Sequence, residues 1–563
     1  MKLDDLILKY ALQNAIRFEG KAQPGAVIGK VFSDEPNLKK DAKNVGKKVQ
    51  EIVKQVNKLS VEEQRKKLEK IAPELLEKKK IEERKDLPEL KGAVMGKVVT
   101  RLPPEPSKYN HVGHALSFLI NYMYAQKYRG KCILKFEDTN PEKCTKEFAK
   151  AMEEDILEYL KIKADKVVYI SDDMNEMYEH AERLIAIRKA YVCFCSREKM
   201  QELRHKGVGC EHRDGSPKKN MDEWKNMISK KYKTGEAVLR LKGDMKSNNH
   251  VMRDPVMFRV SYAEHFRHGK KYAVWPLYDF ENAVEDCRYG VTHILRSSEF
   301  GEMRNELQNY IKDLFGYKKQ TIVHYGRINI IGAVAQGRVI REMISKKQVI
   351  GWDDPRLVTL RALKRRGIDY RTFYEVVYKV GLSLAQTNID WSVIATTNRK
   401  IVDKEVNRYF FVKEPKLVKI GGAPKQEVSL DLHPDFPERG KRVFKTSEEF
   451  YIAEDDYKEF KESRLYRLMD CLNFVKKGNK LVFDSLEYEK FKDKGEKIMH
   501  WLPKQSDLIK VEVMMPDAKI VKGFGEPLMK KLKVDDVIQA ERFGFLRLDK
   551  KEKEKLVFWF THK

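Results

Sequence analysis

The order of local patterns between residues 93 and 136 constrains the fold more than any other stretch. "AVMGKVVT" at 93–100 reads as a strand, a proline loop follows, and a helix runs from about Gly113 to Tyr128. Gly130 stops that helix, and "CILKF" at 132–136 reads as a second strand. Strand, loop, helix, strand is the unit of a parallel sheet covered by helices, so the chain is expected to be α/β. A helix near 142–161 continues the pattern. "VTHILRSSEF" at 291–300 and "TIVHYGRI" at 321–328 read as the same sheet resuming, which makes 171–275 an insertion between the halves 93–170 and 276–345.

The flanks differ in period. In 1–92, Val49, Ile52, Val53 and Val56 fall at i, i+3, i+4, i+7, and "SVEE" at Ser60–Glu63 has the form of a capping box, so a helical extension is expected. Residues 346–400 return to helix and contain the basic run "RALKRRGI" at 361–368. From 401 to 563, short pieces such as "RYFFV", "RVFKT" and "KLVFD" between Pro, Gly and Asp signals predict antiparallel β-barrels. At 563 residues the chain is multidomain.

Charge narrows the class of partner. The chain carries 112 Lys+Arg against 85 Asp+Glu, a net +27, which fits a polyanionic partner, nucleic acid first and an acidic membrane second, and equally a Lys-rich proteome. No apolar run approaches the length of a spanning helix, so no membrane partner is expected. Seven cysteines are too few for a disulfide framework, and "MKLDDLILKY" has no basic segment or cleavage site, so a reducing cytoplasm is expected.

The loop "TRLPPEPSKYNHVGHA" at 100–115 carries the chemistry. A helix N-terminus bears partial positive charge and unpaired N–H groups, a ready seat for phosphate. Gly113 allows close approach of a nucleotide, and Pro103 and Pro104 restrict the loop before binding. His111 and His114 at that place can donate hydrogen bonds to a phosphate whose charge grows as it becomes five-coordinate. Two histidines at a turn also serve as capping or core groups, so the motif alone leaves both readings open.

A second constellation lies in the insertion. "CFCSREKMQELRHKGVGCEH" sets Cys193 and Cys195, then Cys210 and His212, in a C-x-C…C-x-H array; three thiolates and an imidazole suit a tetrahedral structural Zn2+, and packed reduced thiols are the alternative. Cys132, Cys144, Cys287 and Cys471 stand singly.

Together "TRLPPEPSKYNHVGHA", "LKFEDTNP" and "GWDDPRLVTLRALKRRGI" resemble the class I glutamyl-/glutaminyl-tRNA synthetases of the archaeal glutamyl type, from about residue 93 to the C-terminus. The resemblance implies a Rossmann-like catalytic domain, an acceptor-binding insertion, a helical stem-contact region and anticodon-binding barrels. It implies ATP with Mg2+, L-glutamate and tRNA(Glu) as reactants and partner; a monomer is one state open to the chain, and the sequence does not choose among oligomeric states. His111 and His114 match the signature histidines that contact ATP, and Arg101 matches an arginine that holds the amino acid. Glu137 matches an acid facing its ammonium. Tyr278 and Asn282 match the substrate-contacting tyrosine and its neighbour. Arg296 stands where glutamyl enzymes carry arginine and glutaminyl enzymes a small uncharged residue. Some bacterial glutamyl enzymes carry a similar cysteine array with a longer gap. One motif departs from the family: a lysine- and serine-containing signature precedes "GWDDPR" there, whereas "INIIGAVAQGRVIREMISKKQVI" at 328–350 has none at the aligned place. Arg338, after Gly337, or alternatively Lys346 or Lys347, is the expected substitute charge. The alternatives to glutamate–tRNA ligation are a glutaminyl enzyme or a catalytically impaired tRNA-binding relative.

Overall fold

The computed structural model describes residues 3–18, 20–75, 86–331, 334, 336–383 and 386–563. It divides into two compact units, residues 1–83 and 84–563. In the first, α1 (Leu3–Arg17), α2 (Pro24–Asp34), α3 (Ala42–Val56) and α4 (Val61–Ile71) pack around Leu6, Ile7, Ala11, Val49, Val53 and Leu68. The inward stripe of α3 is Val45, Val49, Val53 and Val56, while Lys43, Lys47, Lys48 and Lys54 stay exposed. Ser60 caps α4 reciprocally: its Oγ accepts from the Glu63 N–H at 3.3 Å and its own N–H donates to the Glu63 carboxylate at 2.8 Å.

In the second unit residues 86–98 form no helix or strand, and Gly92 and Gly96, with φ of 72° and 76°, turn the chain there. The first strand therefore starts at Val99 rather than at 93. β1 (Val99–Leu102), α5 (Val112–Lys127), β2 (Lys131–Phe136), α6 (Lys146–Glu153) and β3 (Lys166–Tyr169) build the parallel sheet β1-β2-β3, with Arg101 opposite Ile133. A π-helical turn, Glu154–Tyr159, extends α6.

α7 (Met174–Ala186), β4 (Ala190–Cys193), α8 (Arg197–Lys206), α9 (Pro217–Ile228), β5 (Val238–Leu241), β6 (Val256–Val260) and β7 (Val274–Pro276) follow. Their strands form an antiparallel sheet, β4-β5-β6-β7. The chain then returns through α10 (Tyr278–Arg288), β8 (His293–Ser297), α11 (Gly301–Phe315) and β9 (Thr321–Tyr325). β8 and β9 are parallel, and the Thr292 N–H donates to the Val99 carbonyl at 2.9 Å, which sets β8 beside β1. The spatial order β3-β2-β1-β8-β9 reverses at β1/β8, and a doubly wound sheet binds its ligand at the carboxyl ends of the strands at such a switch point.

β10 (Ile328–Ile330), α12 (Gly337–Ser345), α13 (Leu360–Arg365), α14 (Arg371–Val380), β11 (Thr387–Ile389) and α15 (Trp391–Val402) complete this part. Gly332, Ala333 and Ala335, in the segment that departs from the family signature, lie outside the described residues.

Beyond Val402 the strands form a two-stranded sheet that pairs Glu427–Asp431 with Lys441–Lys445, and two seven-stranded sheets. In one, Arg408–Tyr409 and Phe411–Lys413 occupy opposite edges although Phe410 alone separates them, so the sheet rolls on itself. In the other, Gly495–Met499 and Leu502–Pro503 stand at opposite edges in the same way. The expected purely antiparallel pairing needs correction. Ile509–Met514 runs parallel to Lys555–His562, and Leu465–Leu468 runs parallel to Gly495–Met499. Closure joins strands that are not hairpin neighbours, which lets parallel pairs form. Tyr409, Phe410 and Phe411 are buried core.

The basic run at 361–368 is largely engaged within the chain. Arg361 donates to Tyr109 Oη at 2.7 Å, and Arg365 forks onto Asp549 at 2.9 and 2.7 Å. Arg366 is buried and donates to the carbonyls of Phe560 and Thr561. Lys364 remains exposed.

Candidate active site

At the mouth of α5 the two histidines lock one another. His111 is the N-cap; its Nδ1 accepts from the Gly113 N–H at 3.1 Å, while Nδ1 of His114 accepts from the His111 N–H at 3.2 Å. An Nδ1 that accepts carries no proton, so each neutral ring keeps its proton on Nε2 and has one donor left. The rings stack at 3.8 Å. Burial, reinforced by the charge of Lys108, pushes His111 down to about 3 and His114 well below the ordinary value, so both are neutral donors near neutrality. Gly113 is required sterically: a β-carbon there would stand 2.9 Å from Cε1 of His111. The "GWDDPR" segment braces the loop from outside, with the Val112 N–H donating to Val358 O at 3.1 Å and the Leu360 N–H to Asn110 O at 2.9 Å.

A cavity of about 810 Å³ opens over this helix mouth and the ends of β1, β2 and β8. Pro103, Pro104, His111, Gly113 and His114 line it together with Arg101, Glu137, Tyr278 and Arg296. Arg101 is buried, with Nε donating to both Asp286 oxygens at 3.2 Å and Nη1 left without a partner. Asp286 also accepts from Lys135 Nζ at 2.7 Å. Burial alone would raise the Asp286 carboxyl, but Arg101 and then Lys135 overcome it and hold it at about 2. Glu137 Oε1 has no partner either; burial raises that carboxyl while Lys135 and Arg101 pull it down. Arg296 is held by Gln308 Oε1 at 3.2 Å and by Asn305 Oδ1. A fixed guanidinium and a cation-backed acid in the wall of one pocket suit an amino-acid zwitterion, whose charges both need partners once water is removed.

Asn282 stands behind the wall rather than on it. One turn along α10 from Tyr278, it accepts from Lys135 Nζ at 2.9 Å and donates to the Tyr278 carbonyl at 3.1 Å, so it braces the pocket floor. Arg338 lies exposed on α12, and Lys346 and Lys347 are exposed near its end, with Lys346 paired to Glu342 at 2.7 Å. None of these three lines the cavity.

Sequence reasoning missed Glu281, Asn110, Lys108 and Lys135. Glu281 lines the cavity and accepts from Thr139 Oγ1; burial and the neighbouring Glu137 lift it to about 8. The available signal was periodicity: Glu281, Glu285 and Asp286 occupy the buried face of α10, where the spacing otherwise predicts apolar residues. Asn110 donates to Asp155 at 3.2 Å and leaves Oδ1 unpartnered at the cavity.

In the insertion, Cys193, Cys195, Cys210 and His212 bring their ligand atoms within 4.8 Å of one another. The Cys193 and Cys210 sulfurs are 3.8 Å apart, and Cys195 Sγ is 3.6 Å from Nδ1 of His212. A tetrahedral zinc, with bonds of about 2.3 Å to sulfur and about 2.0 Å to nitrogen, sets S···S edges near ~3.8 Å and S···N edges near ~3.5 Å, so the donor set fits that ion. Arg240 Nη1 lies 3.7 Å from both Cys193 and Cys210 sulfurs, where it balances thiolate charge.

Residues 97–404 match the family described as the catalytic domain of class I (E and Q) tRNA synthetases, and residues 406–486 and 472–549 match two anti-codon binding domains of the same group. The chain is 42% identical over 578 residues to a glutamate–tRNA ligase of Pyrococcus furiosus and 41% over 577 residues to one of Thermococcus kodakarensis. It is 39% identical over 565 residues to one of Methanocaldococcus jannaschii, and each alignment covers 100% of both chains. With a family match across more than half its length and relatives alignable from end to end, the chain belongs to the class I tRNA synthetases of the E and Q group.

Proposed function

We propose that the chain is an ATP-dependent glutamate–tRNA ligase, which activates L-glutamate to glutamyl-adenylate and transfers it to the 3′ end of tRNA(Glu). Relatives of that name align with it along their whole length. The observation that carries the choice of amino acid is Arg296, a guanidinium fixed by Gln308 and Asn305 on the wall of the pocket. A side-chain carboxylate pairs with it through charge-assisted hydrogen bonds, whereas an amide offers no compensating charge. Arg101, with Nη1 unpartnered, takes the substrate's α-carboxylate side, and Glu137 faces the ammonium beside Tyr278.

A carboxylate oxygen of glutamate attacks the α-phosphorus of ATP, the bond to the departing pyrophosphate breaks, and the pyrophosphate leaves with that electron pair. His111 and His114, both neutral Nε2–H donors, stabilise the charge gathering on the phosphate, and the N-terminus of α5 adds its dipole. Pro103, Pro104 and Gly113 shape the nucleotide seat, and Mg2+ enters with the nucleotide. A terminal ribose hydroxyl of the tRNA then attacks the activated carbonyl and releases AMP.

Residues 171–275 form the acceptor-binding insertion, in which Cys193, Cys195, Cys210 and His212 would hold a structural Zn2+ that cross-links β4 to the loop after α8. Residues 346–400 contact the tRNA stem and 401–563 the anticodon, with 1–92 as an accessory extension to the catalytic halves 93–170 and 276–345. A cytoplasmic location suits seven unpaired thiols. Among the described residues no helix is long and apolar enough to cross a membrane.

ATP–pyrophosphate exchange is the test. Exchange with glutamate and tRNA present supports the reading. Exchange with glutamine instead assigns a glutaminyl enzyme, and exchange with neither leaves a tRNA-binding relative.

A further inference from the structure

The cavity wall carries no lysine from 328–350, where the family signature leads one to expect it, and Arg338, Lys346 and Lys347 are outside that wall. One lysine does line it. Lys108, two residues before Asn110 in the loop that leads to the histidines, lines the cavity beside Gln336. It is half-buried, and among the described residues neither a carboxylate nor a carbonyl holds its Nζ. The nearby acid Glu299 is engaged with Arg327 at 2.6 Å; Glu105 makes no contact with it closer than ion-pair range, and Arg341 adds positive charge while donating to Ser107 O at 3.1 Å.

The position of Lys108 against α12 is the second observation. Gly337 opens that helix and is buried, and a β-carbon built on it would stand 3.1 Å from Cδ and 3.2 Å from Cβ of Lys108. The stem of Lys108 therefore fills the space into which a side chain at 337 would project. The segment without a lysine at the signature place and the loop that carries one meet at this contact.

We propose that Lys108 is a catalytic residue of adenylate formation, delivering from the proline loop the ammonium that neutralises the β,γ-phosphates of ATP as pyrophosphate leaves. An unpaired cation in a partly dry cleft is costly to keep, and a polyphosphate supplies its missing counter-charge. In the transition state the bond from the α-phosphorus to the bridging oxygen breaks and the leaving pyrophosphate gathers negative charge, so a cation there acts more strongly in the transition state than in the ground state. The same loop thus carries the leaving-group cation and the two imidazoles on the α-phosphate, within seven residues of sequence, Lys108 to His114.

This inference rests on the glutamate-activating reading above, and the experiment separates the two. ATP–pyrophosphate exchange with glutamate and tRNA is measured for the unmodified full chain, Lys108→Met, Lys108→Arg, Lys108→Gly, and the swap Lys108→Gly with Gly337→Lys; melting temperature and tRNA affinity are measured on each. Lys108→Met is expected to lower exchange about 100-fold, chiefly in kcat, with tRNA affinity unchanged, and Lys108→Arg to recover about tenfold of that loss. The swap should exceed Lys108→Gly by about tenfold or more, since the lysine then enters the same space from α12. Exchange by Lys108→Met within about threefold of the unmodified enzyme overturns the proposal. So does a loss matched by lower melting temperature and weaker tRNA binding, or a swap no better than Lys108→Gly. Absence of exchange in the unmodified chain overturns the glutamate-activating reading itself, and the lysine's role with it.

Discussion

The His111 N–H donates to Nδ1 of His114 at 3.2 Å, so the backbone of one signature histidine sets the tautomer of the other. With Nδ1 of His111 occupied by the Gly113 N–H, the pair is a fixed two-donor device, which catalyses by preorganised electrostatics and needs no proton transfer.

Replacing His114 by Ala is therefore expected to lower the activation rate by about 10- to 1,000-fold with little change in tRNA affinity. Because burial, then the neighbouring His111, holds His114 well below its ordinary value, exchange measured between pH 6 and 8 should show no inflection that disappears in the alanine variant. Such an inflection would contradict the neutral assignment.

Arg296→Cys should collapse glutamate use. If the lost pairing approaches ~3 kcal/mol, as for a charged hydrogen bond in a closed site, kcat/KM for glutamate falls by about 100-fold or more. Unchanged glutamate kinetics in this variant would remove the residue from the specificity argument.

Purified protein should contain about one equivalent of zinc, and Cys210→Ala should lose it. Chelation should lower thermal stability of the wild-type chain and leave the variant unaffected. Zinc far below one equivalent in protein made under zinc-replete conditions returns the four residues to ordinary packing.

Glu281 and Glu285, lifted to about 8 and about 9, first by burial and then by neighbouring carboxylates, are protonated in the folded chain where the unfolded chain has already lost those protons. Stability contributed by these groups is complete below the unfolded value of 4.5 and is lost as pH rises through 8 and 9. The ligand-free protein should melt at a lower temperature at pH 8.5 than at pH 6.5, and Glu281→Gln should flatten that slope; an unchanged slope in the variant argues that Glu281 is ionised.

Arg365 forks onto Asp549 and also reaches Asp353 at 2.7 Å, which docks α13 on the strand Gly544–Lys551. Arg365→Ala should cost about 1 kcal/mol of stability and leave the salt dependence of tRNA binding unchanged. A shallower slope of log affinity against log salt would show that this guanidinium faces phosphate instead.

Much of this was legible before any fold was known, for reasons that lie within a few residues of sequence. The Ser60–Glu63 box depends on neighbours three positions apart, and its residue types declare it, whereas the need for glycine at 113 beneath the His111 ring and at 130 against the Val98 carbonyl shows only in the structure. The family motifs led to Arg101, Glu137, Tyr278 and Arg296, which meet at one cavity. Asn282 was harder to read, since helical phase turns it from the wall toward Lys135, and so was the α10 acid face, where desolvated carboxyls replace the apolar residues that periodicity expects.

The alternation of strand, proline loop and helix, and the paired imidazoles at its turn, were determined by the linear chain, because hydrogen bonding of the local backbone dictates both. Which cations serve a ligand was decided only by the tertiary structure: it turned Arg365 and Arg366 inward onto the C-terminal strands and laid Lys108 across Gly337. These pairings join residues roughly two hundred positions apart, and charge has no address in sequence until strand order brings its counter-ion near or leaves it without one.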